Sequence, residues 1–314
     1  MTAAQVDHQH YDCVVIGAGP AGLSAALNLV RARRRVLVLD SNRPRNSATL
    51  VAHGFLTRDG ITPHELRRLG LEELLAYPGA EHQLAVVRRL QQDPIAGFQI
   101  EATGFNGHPD RTVIATTVLI ATGLTETLPD MPGILNFYGI GVFSCIECDG
   151  YEQSDRRVAL IGETADLASR ALQIAQWSRD LTVFTNGAKV IAPTQEALLA
   201  QHGVRVERRP VTDVVGEGLT VTGVLLTDGE TIPIDGGFVR PRWQARVEFA
   251  EELKLSVDSW GLLLTDADGR SSVTSVYAAG DATAPGPQQL IVAAGMGARV
   301  AATINRDLIG VPRR

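Results

Sequence analysis

Two stretches of this chain share one pattern: a short unbroken apolar run, a glycine where it ends, then a longer segment with helical spacing. The first runs from Tyr11 to Ile16, passes through the turn Gly17-Ala-Gly-Pro-Ala-Gly22, and continues as an alanine-rich segment to about Arg33. A second apolar run, Arg35 to Leu39, ends at Asp40. Unbroken runs of this length predict strands buried on both faces, so the stretch reads as a βαβ unit with parallel strands. The second copy starts at Val158 to Ile161 with Gly162, predicts a helix from Ala165 to Trp177, and returns as a strand over Leu181 to Phe184.

The remaining segments fit around these units. Val113 to Ile120 predicts a strand leading into Ala121-Thr122-Gly123, and Gly261 to Thr265 and Val276 to Ala279 also have strand character. Gln289 to Leu308 reads as a closing helix rich in small residues. The fold class is therefore α/β with two nucleotide-binding modules. The second module can be inserted into the first, so that residues near both termini build one site.

Composition sets outer bounds. At 314 residues, with 31 glycines and 45% apolar residues, the chain is long enough for two cores and a buried cofactor. The net charge of −6 and the shortness of its basic clusters, Arg31 to Arg35 and Arg313-Arg314, argue against a nucleic-acid partner. No apolar run reaches the roughly twenty residues of a membrane span, and the first residues are polar, so a cytoplasmic protein is expected. His8-Gln-His10 reads as a solvated tail, and Trp177 reads as core.

The first glycine turn carries the first chemistry. Gly17, Gly19 and Gly22 follow a predicted strand and open a helix, and Asp40 ends the next strand. In that setting the glycines admit a pyrophosphate to the backbone, the helix start offers N–H groups, and Asp40 can accept from ribose hydroxyls. The turn alone does not separate FAD from NAD. Ala121-Thr122-Gly123 and Ala279-Gly280-Asp281 look like segments of flavoproteins with two dinucleotide domains, although Gly280-Asp281 can also be a simple turn.

Three cysteines are present, and two of them, Cys145 and Cys148, are separated by two residues. That spacing lets the sulfurs close a small ring, and a helix start just after would lower a thiol's pKa from about 8.5 into the range of roughly 3.5 to 7.5. A zinc site would need two further ligands at matching spacing, which the sequence lacks, so no metal is expected. Two unconnected core cysteines remain the plain alternative. Cys13, inside an apolar run, reads as a small buried strand residue.

These motifs, in this order and spacing, resemble the low-molecular-weight thioredoxin reductase family over nearly the whole chain. The resemblance implies an FAD domain of residues 1–122 and 246–314, with an inserted pyridine-nucleotide-type domain, 123–245, carrying the cysteines. It implies that Cys148 faces the flavin, Cys145 meets the external thiol or disulfide, and Asp149 relays a proton. It also implies FAD contacts from Gly17, Gly19, Pro20, Ala21, Gly22, Asp40, Thr122, Gly123, Gly280 and Asp281, with Gln288, Gln289 and Leu290 against the isoalloxazine. A homodimer follows from the family alone.

Departures from that pattern bear on the electron partner. The second turn reads Gly162-Glu-Thr-Ala-Asp-Leu167, with carboxylates where a pyrophosphate would lie, and Thr185-Asn-Gly-Ala-Lys189 lacks the arginines of a 2′-phosphate clamp. A bound NADPH is doubtful on these residues. The stretch Arg43-Pro-Arg45-Asn46, followed by His53, looks like the branch holding the dithiol oxidases of gliotoxin, holomycin and related disulfide metabolites. That branch places Arg45, Asn46 and His53 near the flavin, although some of its oxidases have His where this chain has Asp149. The implied activity is oxidation of a small-molecule dithiol by O2. The alternatives are a disulfide reductase fed by NAD(P)H or ferredoxin, acting on a thioredoxin-like protein or a small disulfide, and a non-catalytic flavoprotein.

Overall fold

The computed structural model describes residues 9–93, 97–283 and 286–311; His8, Arg313 and Arg314 lie outside them. Strand His10–Ile16 lies between two parallel partners, Val36–Asp40 and Arg111–Ile120. Its side chains alternate as a strand requires. Cys13 and Val15 enter the core beneath helix Pro20–Arg31, while Val14 and Ile16 enter the core on the opposite face. Cys13 is fully buried and unpaired, and burial pushes its thiol up to about 12.

Two strands of this sheet have double duty. Ala80–Asp93 pairs parallel to Val36–Asp40 in its first half and antiparallel to Gly97–Gly104 in its second. Arg111–Ile120 pairs antiparallel to Gly97–Gly104, then parallel to both His10–Ile16 and the late strand Val276–Ala278. A segment from near the C-terminus thus completes the N-terminal sheet. Helix Leu290–Leu308 then packs on Pro20–Arg31, so closely that a Cβ on Gly297 would come within 2.1 Å of the Ala21 carbonyl oxygen. Its small residues are what allow that approach.

A second sheet is parallel throughout, in the order Arg205–Glu207, Asp180–Phe184, Arg157–Ile161, Gly236–Val239, Val142–Phe143. An antiparallel ribbon, Leu124–Thr127 against Arg242–Ala245, lies where the chain leaves the first sheet and where it returns, with Leu124 opposite Ala245. Among the described residues no helix is long and apolar enough to cross a membrane.

Two predicted elements differ. The helix expected over Ala165 to Trp177 is shorter, Leu167–Ile174, because Thr164 and Asp166 tie the residues before it into a turn; Trp177 lies beyond it, packed against the core. Gly261 to Thr265 is not a strand. Asp258 accepts from the Trp260 and Leu262 N–H groups and Gly261 takes φ +77°, leaving only single bridges from Leu263 to Val257 and Thr283.

Candidate active site

The N-terminal sheet ends at a cavity of about 450 Å³ lined by Gly17, Gly19, Pro20, Asp40, Arg45, Asn46, Arg67, Thr122, Gly123, Asp281 and Leu290. Gly17 and Gly22 are required by packing. A Cβ on Gly17 would meet the Ala121 oxygen at 2.4 Å, and one on Gly22 the Gly17 oxygen at 1.9 Å. Gly19 differs, because the space a Cβ would fill there is open. It is also the N-cap of helix Pro20–Arg31 and supplies no side-chain cap to the first-turn N–H groups. Ala21 and Gly22, behind it, are buried in that first turn.

Those features fit a dinucleotide, with its diphosphate over Gly19 and the helix start. Arg67 fits as well, since it lines the cavity and its buried Nε has no hydrogen-bond partner among the described residues. Asp40 does not stand free for a ribose: Arg67 Nη2 donates to it at 2.5 Å and the Asn42 N–H at 3.0 Å. Burial opposes its ionisation, but His82, Arg67 and the Asn42 N–H outweigh burial and hold its carboxyl below the usual range. Any group that meets Asp40 in this cavity would therefore meet Arg67 with it, a partnership absent from the sequence-based expectation. Gly19→Ala should leave the Tm of the flavin-free protein unchanged yet retain less flavin per chain by visible absorbance. Gly22→Ala should lose on the order of 3 kcal/mol of stability in denaturant unfolding.

At the far end of the cavity Asp281 is held by Arg45 Nη2 at 3.1 Å, and Gly280 takes φ +76°, where its Cβ would press Ala21 at 2.9 Å. Burial raises the Asp281 carboxyl above the usual range, and Arg45 partly offsets this. Arg45 also donates to Glu126 at 3.0 Å and to the Gln288 carbonyl at 3.3 Å. Glu126 collects three more donors: Tyr138 at 2.5 Å, Trp243 Nε1 at 3.0 Å and Ser144 at 3.2 Å. No motif marks Glu126, Tyr138 or Ser144. Glu126 stands between Thr125 and Thr127, a setting that carries no sign of its partners.

Cys145 and Cys148 are joined by a disulfide, with Cα atoms 5.3 Å apart. Cys145 caps the single helical turn Ile146–Asp149, its Sγ accepting from the Cys148 N–H at 3.1 Å. The two sulfurs border different spaces. Both line a small cavity of about 60 Å³ that also meets Arg45, Asn46, His53, Asp149, Gln288 and Leu290. Cys145 alone also borders a wider pocket of about 500 Å³, lined by Glu147, Asp166, Arg170, Arg240, Trp243 and Gln288. Gln289 lines neither; it is the N-cap of the closing helix. Asp149 is buried, which pushes its carboxyl up to about 7, with His53 pulling down and Glu152 pushing up. His53 lies 3.5 Å from Glu152 and 3.6 Å from Asp59.

The second glycine turn is filled by the protein's own side chains. A Cβ on Gly162 would meet Arg240 Cβ at 2.8 Å and Leu167 Cδ1 at 2.9 Å. Asp166 accepts from Arg240 Nε at 2.9 Å, Glu163 accepts from Asn186 at 2.7 Å, and Arg242 approaches Glu163 at 3.5 Å. The Arg240 guanidinium lies 4.0 Å from the Trp243 ring centroid.

Comparison with known proteins places this geometry. The putative thioredoxin reductase TrxB of Bacillus anthracis, a crystal structure, superposes with a TM-score of 0.87 at 36% identity, covering 96% of this chain and 99% of that one. Thioredoxin reductase sirT of Leptosphaeria maculans is 28% identical over 96% of this chain and 95% of its own length. A probable thioredoxin reductase of Arthroderma benhamiae is 29% identical over 57% of this chain, which spans only 44% of that protein. The family model described as pyridine nucleotide-disulphide oxidoreductase matches residues 11–297. With an FAD-type cradle, a late Gly280-Asp281 arm and a disulfide between them, the chain is a thioredoxin reductase-like, FAD-dependent disulfide oxidoreductase and belongs to the pyridine nucleotide-disulphide oxidoreductase family.

Proposed function

We propose that this protein is a dithiol oxidase, forming a disulfide in a small-molecule dithiol with O2 as the final acceptor. The observation that carries the reading is the second glycine turn. Arg240 lies across Gly162, and Asp166 and Glu163 stand where a nicotinamide cofactor would need to place its diphosphate. The same reading assigns residues 1–122 and 246–314 to the flavin domain and 123–245 to the inserted one.

In this scheme a substrate thiolate reaches Cys145 through the wider pocket and attacks its Sγ. The Sγ–Sγ bond breaks and Cys148 leaves as a thiolate. The second substrate thiolate then attacks the substrate sulfur of the mixed disulfide, closing the substrate ring and releasing Cys145. Asp149, in the cavity bordered by Cys148, exchanges the proton of that thiol. The reduced Cys145–Cys148 pair re-forms its disulfide by giving up two electrons and two protons, and FAD held over Gly19, Arg67 and Asp281 would supply the chemistry that carries them to O2 as hydrogen peroxide.

The second reading, a disulfide reductase fed by NAD(P)H or ferredoxin and acting on a thioredoxin-like protein, draws support from relatives named thioredoxin reductase. One experiment separates the two. Purified flavin-loaded protein should consume oxygen with dithiothreitol and keep its flavin colour with NADPH or NADH under anaerobic conditions. Rapid anaerobic bleaching by NADPH would sink the oxidase reading.

A further inference from the structure

The pocket that Cys145 borders holds two guanidinium groups with incomplete partners. Among the described residues Arg170 makes a single hydrogen bond, from Nη2 to the Ser144 carbonyl at 3.0 Å, and its buried Nε has no partner. It has no carboxylate within ion-pair distance among the described residues. Arg240 gives Nε to Asp166, but its buried Nη1 has no partner. Burial and the neighbouring charge of Arg240 both push the Arg170 pKa down, and Asp166 and Glu147 only partly counter this. Two cations held side by side, short of acceptors, in a pocket of about 500 Å³ are a costly arrangement unless an anion completes them.

We infer that Arg170 and Arg240 form an anion-recognition pair beside Cys145, and that the substrate is a small thiol or disulfide bearing a carboxylate. A carboxylate suits the site because Asp166 pairs directly with Arg240, whereas Arg170 feels Asp166 and Glu147 only beyond ion-pair distance and so keeps room for one directly bound acceptor group. The planar fork of a guanidinium matches a carboxylate in two parallel hydrogen bonds. With the carboxylate on Arg170, the sulfur end of the same molecule points toward Cys145, which lines the same pocket. The inference rests on the reading that Cys145 is the sulfur that meets substrate.

The test uses two probes with the same five-membered disulfide ring, lipoate and its neutral amide, together with their reduced dithiols. Trp243 lines the pocket, so the fluorescence of the oxidised, flavin-loaded protein reports binding, with Trp243→Phe identifying the signal. Lipoate should bind about tenfold more tightly than lipoamide, the effect of one charge-assisted hydrogen bond. Arg170→Gln should bring the two to near parity, and Arg170→Lys should restore part of the difference. Equal affinities in the wild type, or inorganic phosphate competing better than lipoate, would overturn the inference.

Oxygen uptake supplies the second arm. Dihydrolipoate should be oxidised with a KM about tenfold below that of dihydrolipoamide, a preference lost in Arg170→Gln. If both dithiols are consumed with equal KM, the anion pair fails and the oxidase reading stands. If neither is consumed while lipoate still binds selectively, the oxidase reading fails and the anion pair stands.

Discussion

Cys148→Ser and Cys145→Ser should each lower dithiol-driven oxygen consumption by about 10³-fold or more, since neither leaves a disulfide to exchange. The spectra of the two variants should differ. Cys145→Ser leaves a lone sulfur at Cys148, in the small cavity shared with Asn46, His53 and Leu290, and should show a long-wavelength charge-transfer absorbance with bound FAD. Cys148→Ser leaves its sulfur at the border of the wider pocket and should lack that band, yet it should trap a disulfide probe, its Sγ attacking one probe sulfur to form a mixed disulfide while the other leaves as a thiolate. The opposite pattern would exchange the roles of the two cysteines. Both variants should fold, because the disulfide closes a loop of only two intervening residues and constrains the unfolded chain very little.

Asp149→Asn should slow turnover by roughly 10²-fold or more, the usual weight of a positioned proton carrier. The pH dependence separates a proton role from a packing role. With its carboxyl raised by burial to about 7, Asp149 is protonated below neutrality and charged above it. The folded state binds this proton more tightly than the unfolded chain, so stability is lost as pH rises from the ordinary carboxyl range through about 7. Asparagine removes that loss. Thermal melts should therefore show wild type and variant alike in acid, with the variant the more stable above pH 7, by on the order of 4 kcal/mol at most. Wild-type turnover should bend near pH 7, and the residual rate of the variant should not. A bend retained in Asp149→Asn would move the proton role to another group.

The legible parts of this molecule were those where backbone conformation dictates residue type. Gly17, Gly22 and Gly280 stand where a Cβ would collide, so the sequence shows them as glycine and the cradle can be read directly. The apolar runs at Val14 to Ile16 and Val158 to Ile161 reveal their strands for a similar reason: both faces are buried. Side-chain partnerships are another matter. Asp40 looked available to a sugar because nothing in the sequence announces that Arg67, on the helix Pro63–Leu75, reaches back to it. Glu126 and Trp243 meet only because the crossover ribbon sets them opposite each other, and no local pattern encodes that register. The pocket beside Cys145 was invisible for the same reason. Arg170, Arg240 and Trp243 come from separate segments, and each alone reads as an ordinary surface or core residue.

The third cysteine gives the protein a built-in gauge of its own oxidation state. Cys13 is sealed in the central strand, with its thiol pushed up to about 12, and is both shielded from reagents and almost wholly protonated at neutral pH. A chromogenic thiol reagent added to the native protein will therefore count only the other two sulfurs. It will find none in the oxidised protein and two after reduction. The stoichiometry of that colour change titrates the disulfide directly, without reference to the flavin, and so measures how many electrons rest on sulfur at any stage of a reaction.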